Sequence, residues 1–472
     1  MNSLCQFLYN PLLLERACAI ALLVWLMITT LLIKFFRPRL DKDSETGLPT
    51  YTGLVKKHAL FENRNLLALV HISNHASITN TLGREYAGAL MRSAAQTLSA
   101  LLPPGTLICR ERTDKLLVVL PAMQDISCIT LTLKKIESLF LDISNRECPR
   151  THGHIFSGNA GLVHENITPA TISDIVQNAG IALHNARSHG NAVAQLFSQP
   201  MRDEALANYT LHEKMRDAIQ NEEYHLVLQP IIALNDSSHC HEGECLIRWE
   251  NEAIGYVPPG KFIALAEKSG MIVPMGRWII ETACQELAAF IARGAPADFR
   301  LHVNVSAIQL KQPDFSSHLL ATLRRFKLDN HHFCLELTES VLLEDDGKAA
   351  RLLANLREQG IYVAIDDFGS GFSSLSWLHT LPFDCLKIDR EFVKDILHDR
   401  KSEAVVSSVL GLSRSFKVPL VAEGIETEEM GKKLQSMGCQ QAQGFLYGRP
   451  RPFSDWHPVH GEFLLGATES TS

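Results

Sequence analysis

Tyr362–Leu375 reads YVAIDDFGSGFSSL. An apolar run ends in two adjacent carboxylates, Asp366 and Asp367, and a loop of Gly, Ser and Phe follows. A short apolar run bounded by turn residues reads as a buried strand. Neighbouring carboxylates repel, and each resists leaving water. A divalent cation compensates both, because hard carboxylate oxygens suit Mg or Mn.

The same pattern recurs on either side, between about Ala207 and Val459. Strand-like runs begin at His225 (HLVLQPII), His241 (HEGECLIRW), Arg300 (RLHVNVS), His332 (HFCLELTE), Asp384 (DCLKID), Pro419 (PLVAEGIE) and Gln441 (QAQGFLYG). Helical stretches such as Gly347–Gly360 and Glu403–Phe416 lie between many of them. Repeated βα units over about 250 residues predict an α/β fold of the TIM type, a (β/α)8 barrel. A polar residue sits at or near the expected C-terminal end of successive strands: Glu244, Asn304, Glu336 and Glu339, Asp366 and Asp367, Lys387 and Asp389, Glu423 and Glu426. In a barrel those ends converge on one mouth. Each residue alone reads as a solvated loop charge or a turn contact. Their recurrence at one end of successive strands makes a ring that can hold one or two divalent cations, a centre suited to in-line attack on a phosphodiester.

The bulk numbers set the frame. A chain of 472 residues exceeds one ordinary domain. The net charge of -7 gives no basic surface for a nucleic-acid polymer. The eleven cysteines are scattered without a CxxC pair, which reads as reduced core thiols. Ala17–Ile33 carries no charged residue, and Lys34, Arg37 and Arg39 follow. A bilayer takes roughly 17 to 25 apolar residues as a helix, and the basic flank places the downstream chain in the cytoplasm. The expected layout is an N-terminal membrane anchor at 1–40 (span about 17–36), an α/β domain at 41–200, the barrel at 206–460 and a tail at 461–472. The stretch Ser198–Ala205 is the expected polar connector. A single-pass protein of the bacterial inner membrane follows, with cytoplasmic domains and no sensor domain ahead of the span.

The strand-end motifs carry a resemblance. ECLIRW, HVNVS, LELTES, AIDDFGSGFSSL, LKIDREFV, VAEGIET and QAQGFLYGRP resemble, in order and approximate spacing, the signatures of EAL-domain cyclic di-GMP phosphodiesterases. The resemblance covers nearly all of residues 207–455. It implies that Glu244, Asn304, Glu336, Asp366 and Glu423 ligate metal and that Asp367 serves a second metal, with Mg or Mn as the two ions. It assigns Lys387 to the attacking water and Arg248 to a substrate phosphate, and makes Gln229 and Gln443 ligand-positioning contacts. Glu339 resembles the acid anchoring the loop after the aspartates, and Glu426 an acid beside the metals. With Lys387 and Glu423 they form the catalytic set. A homodimer through the EAL domain is also implied. Cys245, Ser370 and Phe372 depart from common family residues without removing a ligand.

The 41–200 region resembles a GGDEF, nucleotidyl cyclase-like domain through SETGLPT and AGIALHNARSHGNAV. Its signature has decayed: where the family reads RYGGDEF, Arg110–Leu116 reads RERTDKL. His71 stands where the first metal Asp is expected, and Thr79 and Gly88 where guanine contacts are expected. A cyclase needs carboxylate-held metals and a triphosphate cradle; Asp114 alone does not supply them. The expected activity is hydrolysis of cyclic di-GMP to linear pGpG beside an inactive GGDEF domain. The alternatives are a receptor that binds cyclic di-GMP without turnover and signals to a membrane partner, or a scaffold in which neither domain works.

Overall fold

The computed structural model describes residues 41–56, 61–141, 155–168, 170–235, 240–338, 347–369 and 381–458, together with Trp25 and Met27. Apart from those two residues, the expected span at 17–36 lies outside the described residues, as do Glu339, the loop at 370–380 and the tail at 461–472. Among the described residues no helix is long and apolar enough to cross a membrane. The chain divides into two compact units, Met1–Ala207 and Asn208–Ser472. The connector expected at Ser198–Ala205 is helical from Gln199, within helix Gln199–Ala218. Its one Pro, Pro200, falls in the first turn, where no intrahelical donor is lost.

In the first unit the strands are β1 (Leu66–Ile72), β2 (Leu107–Arg112), β3 (Lys115–Leu120), β4 (Gly158–His164) and β5 (Ala194–Leu196). They form one sheet in the order β2-β3-β1-β4-β5. Alternate β1 side chains serve two cores. Leu66, Ala68, Val70 and Ile72 pack on one face, Leu67 and Leu69 on the other. A strand buried on both faces needs no polar alternation, hence the continuous LLALVHI.

In the second unit the strands are β6 (Tyr224–Ala233), β7 (Glu242–Asn251), β8 (Gly255–Val257), β9 (Arg300–Asn304), β10 (Phe333–Thr338), β11 (Tyr362–Phe368), β12 (Cys385–Ile388), β13 (Leu420–Ala422), β14 (Gln441–Gln443) and β15 (Arg451–Pro452). Eight of them close a barrel: β6-β14-β13-β12-β11-β10-β9-β7, then back to β6. The expected (β/α)8 regularity needs correction. β6 runs antiparallel to both neighbours, β7 and β14. Residues 234–241 are too few for the crossover that a parallel pair requires, so the first two strands form a hairpin pair.

Alternation sorts each barrel strand into two sets. Leu301, Val303, Leu335, Leu337, Val363, Ile365, Leu386 and Ile388 join the large core outside the strands. The alternate set fills the interior. A second correction concerns Glu244, expected near a strand end. It is the third residue of β7, because that strand continues past the barrel and pairs with β8 through Trp249 and Val257.

Candidate metal centre

The inward set of each strand supplies the site. Glu244 comes from β7, Asn304 from β9, Glu336 from β10, Asp366 from β11 and Lys387 from β12, and Glu423 follows β13. At the centre is Lys387, fully buried. Its Nζ lies 2.7 Å from Glu423 Oε1, 2.9 Å from Glu336 Oε1, and 3.3 Å from both Glu244 Oε2 and Asp366 Oδ1. Burial works against the ammonium, but Asp366, Glu244, Glu336 and Glu423 outweigh it and hold its pKa well above the usual lysine value.

The amides orient Glu244. Asn304 Nδ2 donates to its Oε1 at 2.7 Å, and Gln443 Nε2 to its Oε2 at 2.7 Å. Gln443 Nε2 also lies 3.1 Å from Gln229 Oε1, and Gln229 Nε2 donates to Gly448 O at 3.2 Å. Gln229 sits directly opposite Glu244 in the β6–β7 ladder, so both side chains share the inner face. Burial raises the Glu244 pKa, yet Lys387 and these donors bring it below the ordinary carboxylate value.

Adjacent strand residues should point to opposite faces, so Asp366 and Asp367 pose a geometric problem. The β11–β12 register slips between Ile365 and Phe368, and Asp367 has φ 53°. A bulge with one residue in the left-handed region breaks the alternation. Asp366, Asp367 and Glu423 then bring carboxylate oxygens within 4.8 Å of one another, as do Glu244, Glu336 and Asp366. Asp366 belongs to both groups.

Four carboxylates thus face one ammonium, and Asp367 stands beside them. Burial, with repulsion from Glu244, pushes Glu336 up to about 7. Burial, with repulsion from Asp366 and Asp389, pushes Asp367 up to about 6. Burial also raises Glu423 well above the usual range. Glu336 Oε2 is buried and has no hydrogen-bond partner among the described residues. Oxygen-only donors, surplus negative charge and a bare buried oxygen fit hard divalent cations.

Other candidates fall differently. Arg248 lines a cavity of about 290 Å³ with Asn304 and Glu336, and its Nη1 donates to Ile247 O at 2.9 Å. Glu426 is exposed and, among the described residues, joins none of the cluster's hydrogen bonds or ion pairs. Glu339 lies outside the described residues. The sequence reading missed His302 and Glu242. His302 lies 2.9 Å from Glu336 Oε1 through Nδ1 and 3.0 Å from Glu242 Oε2 through Nε2. Each stands two residues before a recognised site residue, so stepping back one strand period would have found them.

In the first unit, the β2–β3 turn carries Thr113 and Asp114. Asp114 Oδ2 is 3.2 Å from His71 Nε2. The buried Arg110 is paired with Asp43 at 2.7 Å and Glu45 at 2.9 Å, and donates to Thr113 O.

Known proteins share this organisation. The GGDEF family, described as a diguanylate cyclase domain, matches residues 52–192. The bifunctional diguanylate cyclase/cyclic di-GMP phosphodiesterase MucR of Pseudomonas aeruginosa is 30% identical over 84% of this chain and 57% of its own length. Cyclic di-GMP phosphodiesterase NbdA of the same organism is 30% identical over 87% of this chain and 53% of its own. The chain spans about half the length of the curated relatives it matches. Among solved structures, the PaMucR phosphodiesterase in its c-di-GMP complex is 36% identical, with a TM-score of 0.50, covering 52% of this chain and 99% of that one. The EAL domain family matches residues 212–450, just over half of the chain and the whole span that builds the acid cluster, and the chain belongs to that family.

Proposed function

We propose that the chain is a cyclic di-GMP phosphodiesterase that hydrolyses its substrate to linear pGpG. The observation that carries this reading is the set of four carboxylates paired with Lys387, joined by Asp367 beside Asp366 and Glu423. Glu244, Asn304, Glu336, Asp366, Asp367 and Glu423 would hold two divalent ions, Mg or Mn. When bound, the ions supply Lewis acidity and a water of lowered pKa. Lys387 holds the carboxylates in register and adds positive charge where phosphate charge accumulates. Arg248, on the cavity wall beside Asn304 and Glu336, offers a guanidinium to a non-bridging phosphate oxygen. Gln229 and Gln443 fix the Glu244 carboxylate, and the exposed Glu426 is left to an outer role.

The first unit is read as a GGDEF domain without cyclase activity. Supporting this, Asp114 is engaged by His71, and Arg110 is spent on internal acids where an active site would need free carboxylates. The apolar run Ala17–Ile33 with its basic flank supports a single-pass anchor in the bacterial inner membrane, both units being cytoplasmic. A homodimer through the barrel completes the reading.

The test is turnover of cyclic di-GMP by the purified full chain with Mn or Mg, beside Glu244→Ala. Linear product from the parent and at least a hundredfold less from the variant is the expected result, on the scale of lost catalytic electrostatics. Tight binding without product from the metal-loaded parent would overturn the enzyme and favour the receptor.

A further inference from the structure

Below the acid cluster lies a second interior layer, built from residues two positions earlier on the parallel strands and two positions later on the reversed β6. Most of it is an apolar plug of Ile231, Cys334, Ala364, Cys385 and Val421. One sector is polar. His302, 1% exposed, reaches Glu336 Oε1 through Nδ1 and Glu242 Oε2 through Nε2. Both ring nitrogens lie within hydrogen-bond distance of carboxylate oxygens, so the ring is fixed from two sides. Glu242 Oε1 accepts from Arg300 Nη1 at 2.9 Å, and the Arg300 guanidinium lies over the Tyr362 ring at 3.4 Å. Arg300, His302 and Asn304 alternate along the inner face of β9. A hydrogen-bonded series, Arg300–Glu242–His302–Glu336, therefore crosses the plug and ends at the metal-facing layer.

Apolar residues of similar volume would fill this sector at less desolvation cost. What the series achieves is visible on Glu336. Its Oε1 is held from two sides at 2.9 Å, by His302 Nδ1 and by Lys387 Nζ. Its Oε2 is buried and has no partner among the described residues. A carboxylate pinned through one oxygen has its rotation fixed, and the other oxygen stays bare.

We infer that His302, itself held by Glu242, is a positioning residue that locks the Glu336 carboxylate so that Oε2 is presented to a divalent cation. This rests on the phosphodiesterase reading of the same site. His302 does not reach the reacting atoms; it acts through Glu336.

The experiment is Mn²⁺ binding to the full chain by calorimetry, paired with Mn²⁺-dependent turnover, for the parent, His302→Ala, His302→Gln and Glu242→Ala. His302→Ala should weaken Mn²⁺ affinity about 10- to 100-fold, the usual effect of losing a group that orients a ligand. At saturating Mn²⁺ its KM for cyclic di-GMP should match the parent. His302→Gln, whose amide still donates to Glu336, should recover part of the affinity. Glu242→Ala should lose affinity by a smaller factor. Folded His302→Ala with parental Mn²⁺ affinity overturns the inference while leaving the phosphodiesterase reading intact. If His302→Ala fails to fold, parental affinity in both His302→Gln and Glu242→Ala overturns it equally. A parent that binds no Mn²⁺ and makes no product overturns both readings together.

Discussion

Four carboxylates converge on the Lys387 ammonium in a fully buried position. Taking that ammonium away leaves charges in low dielectric with nothing opposite them. Lys387→Met keeps the unbranched stem, one atom shorter, and removes the charge. Breaking one side of a buried ion pair costs about 3–5 kcal/mol, and we expect a loss of that order in urea unfolding of the metal-free chain. Added Mn²⁺ should restore more stability to the variant than to the parent, because a cation then replaces the lost ammonium. A variant as stable as the parent without metal would show that these acids are already neutral. The sequence placed Lys387 at a strand end but gave no sign of its burial: a lysine in DCLKID reads equally well as a surface charge. Burial is a property of closure, since β12 becomes interior only when the β6–β7 hairpin completes the ring.

At the scale of elements, strands were legible and their directions were not. All eight barrel strands overlap the strand-like runs of the sequence. The reversal of β6 did not stand out, because a hairpin and a parallel neighbour leave the same alternation in one strand. The bulge in β11 was equally hidden: IDDF shows two acids, but only the slipped register and the left-handed Asp367 turn both toward one site. Close approach between elements leaves a clearer mark. Gly161 in β4 lies against helix Ile172–Ser188, where an added Cβ would run into the backbone of Ala179 and Leu183. Backbone does not step aside as a side chain does. Gly161→Ala should therefore push helix and sheet apart and cost about 1–3 kcal/mol or more, read as a lowered unfolding midpoint. An unchanged midpoint would mean that the helix slides freely over β4.

For the whole molecule, the two units should answer acid with opposite signs. Burial holds His71 and His75 below the ordinary 6.5. The unfolded chain takes up protons that the folded unit refuses, so this contribution is complete above about 6.5 and is lost as pH falls toward the folded values. In the metal-free barrel, burial raises Glu336 from 4.5 to about 7 and Asp367 from 3.8 to about 6. There the unfolded chain releases protons that the fold retains, so stability is highest at the acid end and declines as pH rises from the ordinary carboxylate range through 6 and 7. Hydrogen-exchange protection at pH 5.5 and 7.5 separates the two: amides of β1 and β3 should lose protection in acid, and those of β10 and β11 should gain it. Equal responses would contradict both assignments.

The reversed β6 has one more consequence. In a barrel of uniformly parallel strands, the polypeptide enters at the end remote from the chemistry. Here Tyr224, the first residue of β6, pairs with Trp249 beyond the acid layer. Glu223 just before it accepts from Trp249 Nε1 and Asn251 Nδ2, each at 2.8 Å. The preceding helix buries Leu211, Met215 and Ala218 in the barrel's outer core. The point where the chain enters the barrel and the acid cluster therefore share one rim. A shift of Glu223 would bear directly on β7, the strand carrying Glu244, without first crossing the barrel.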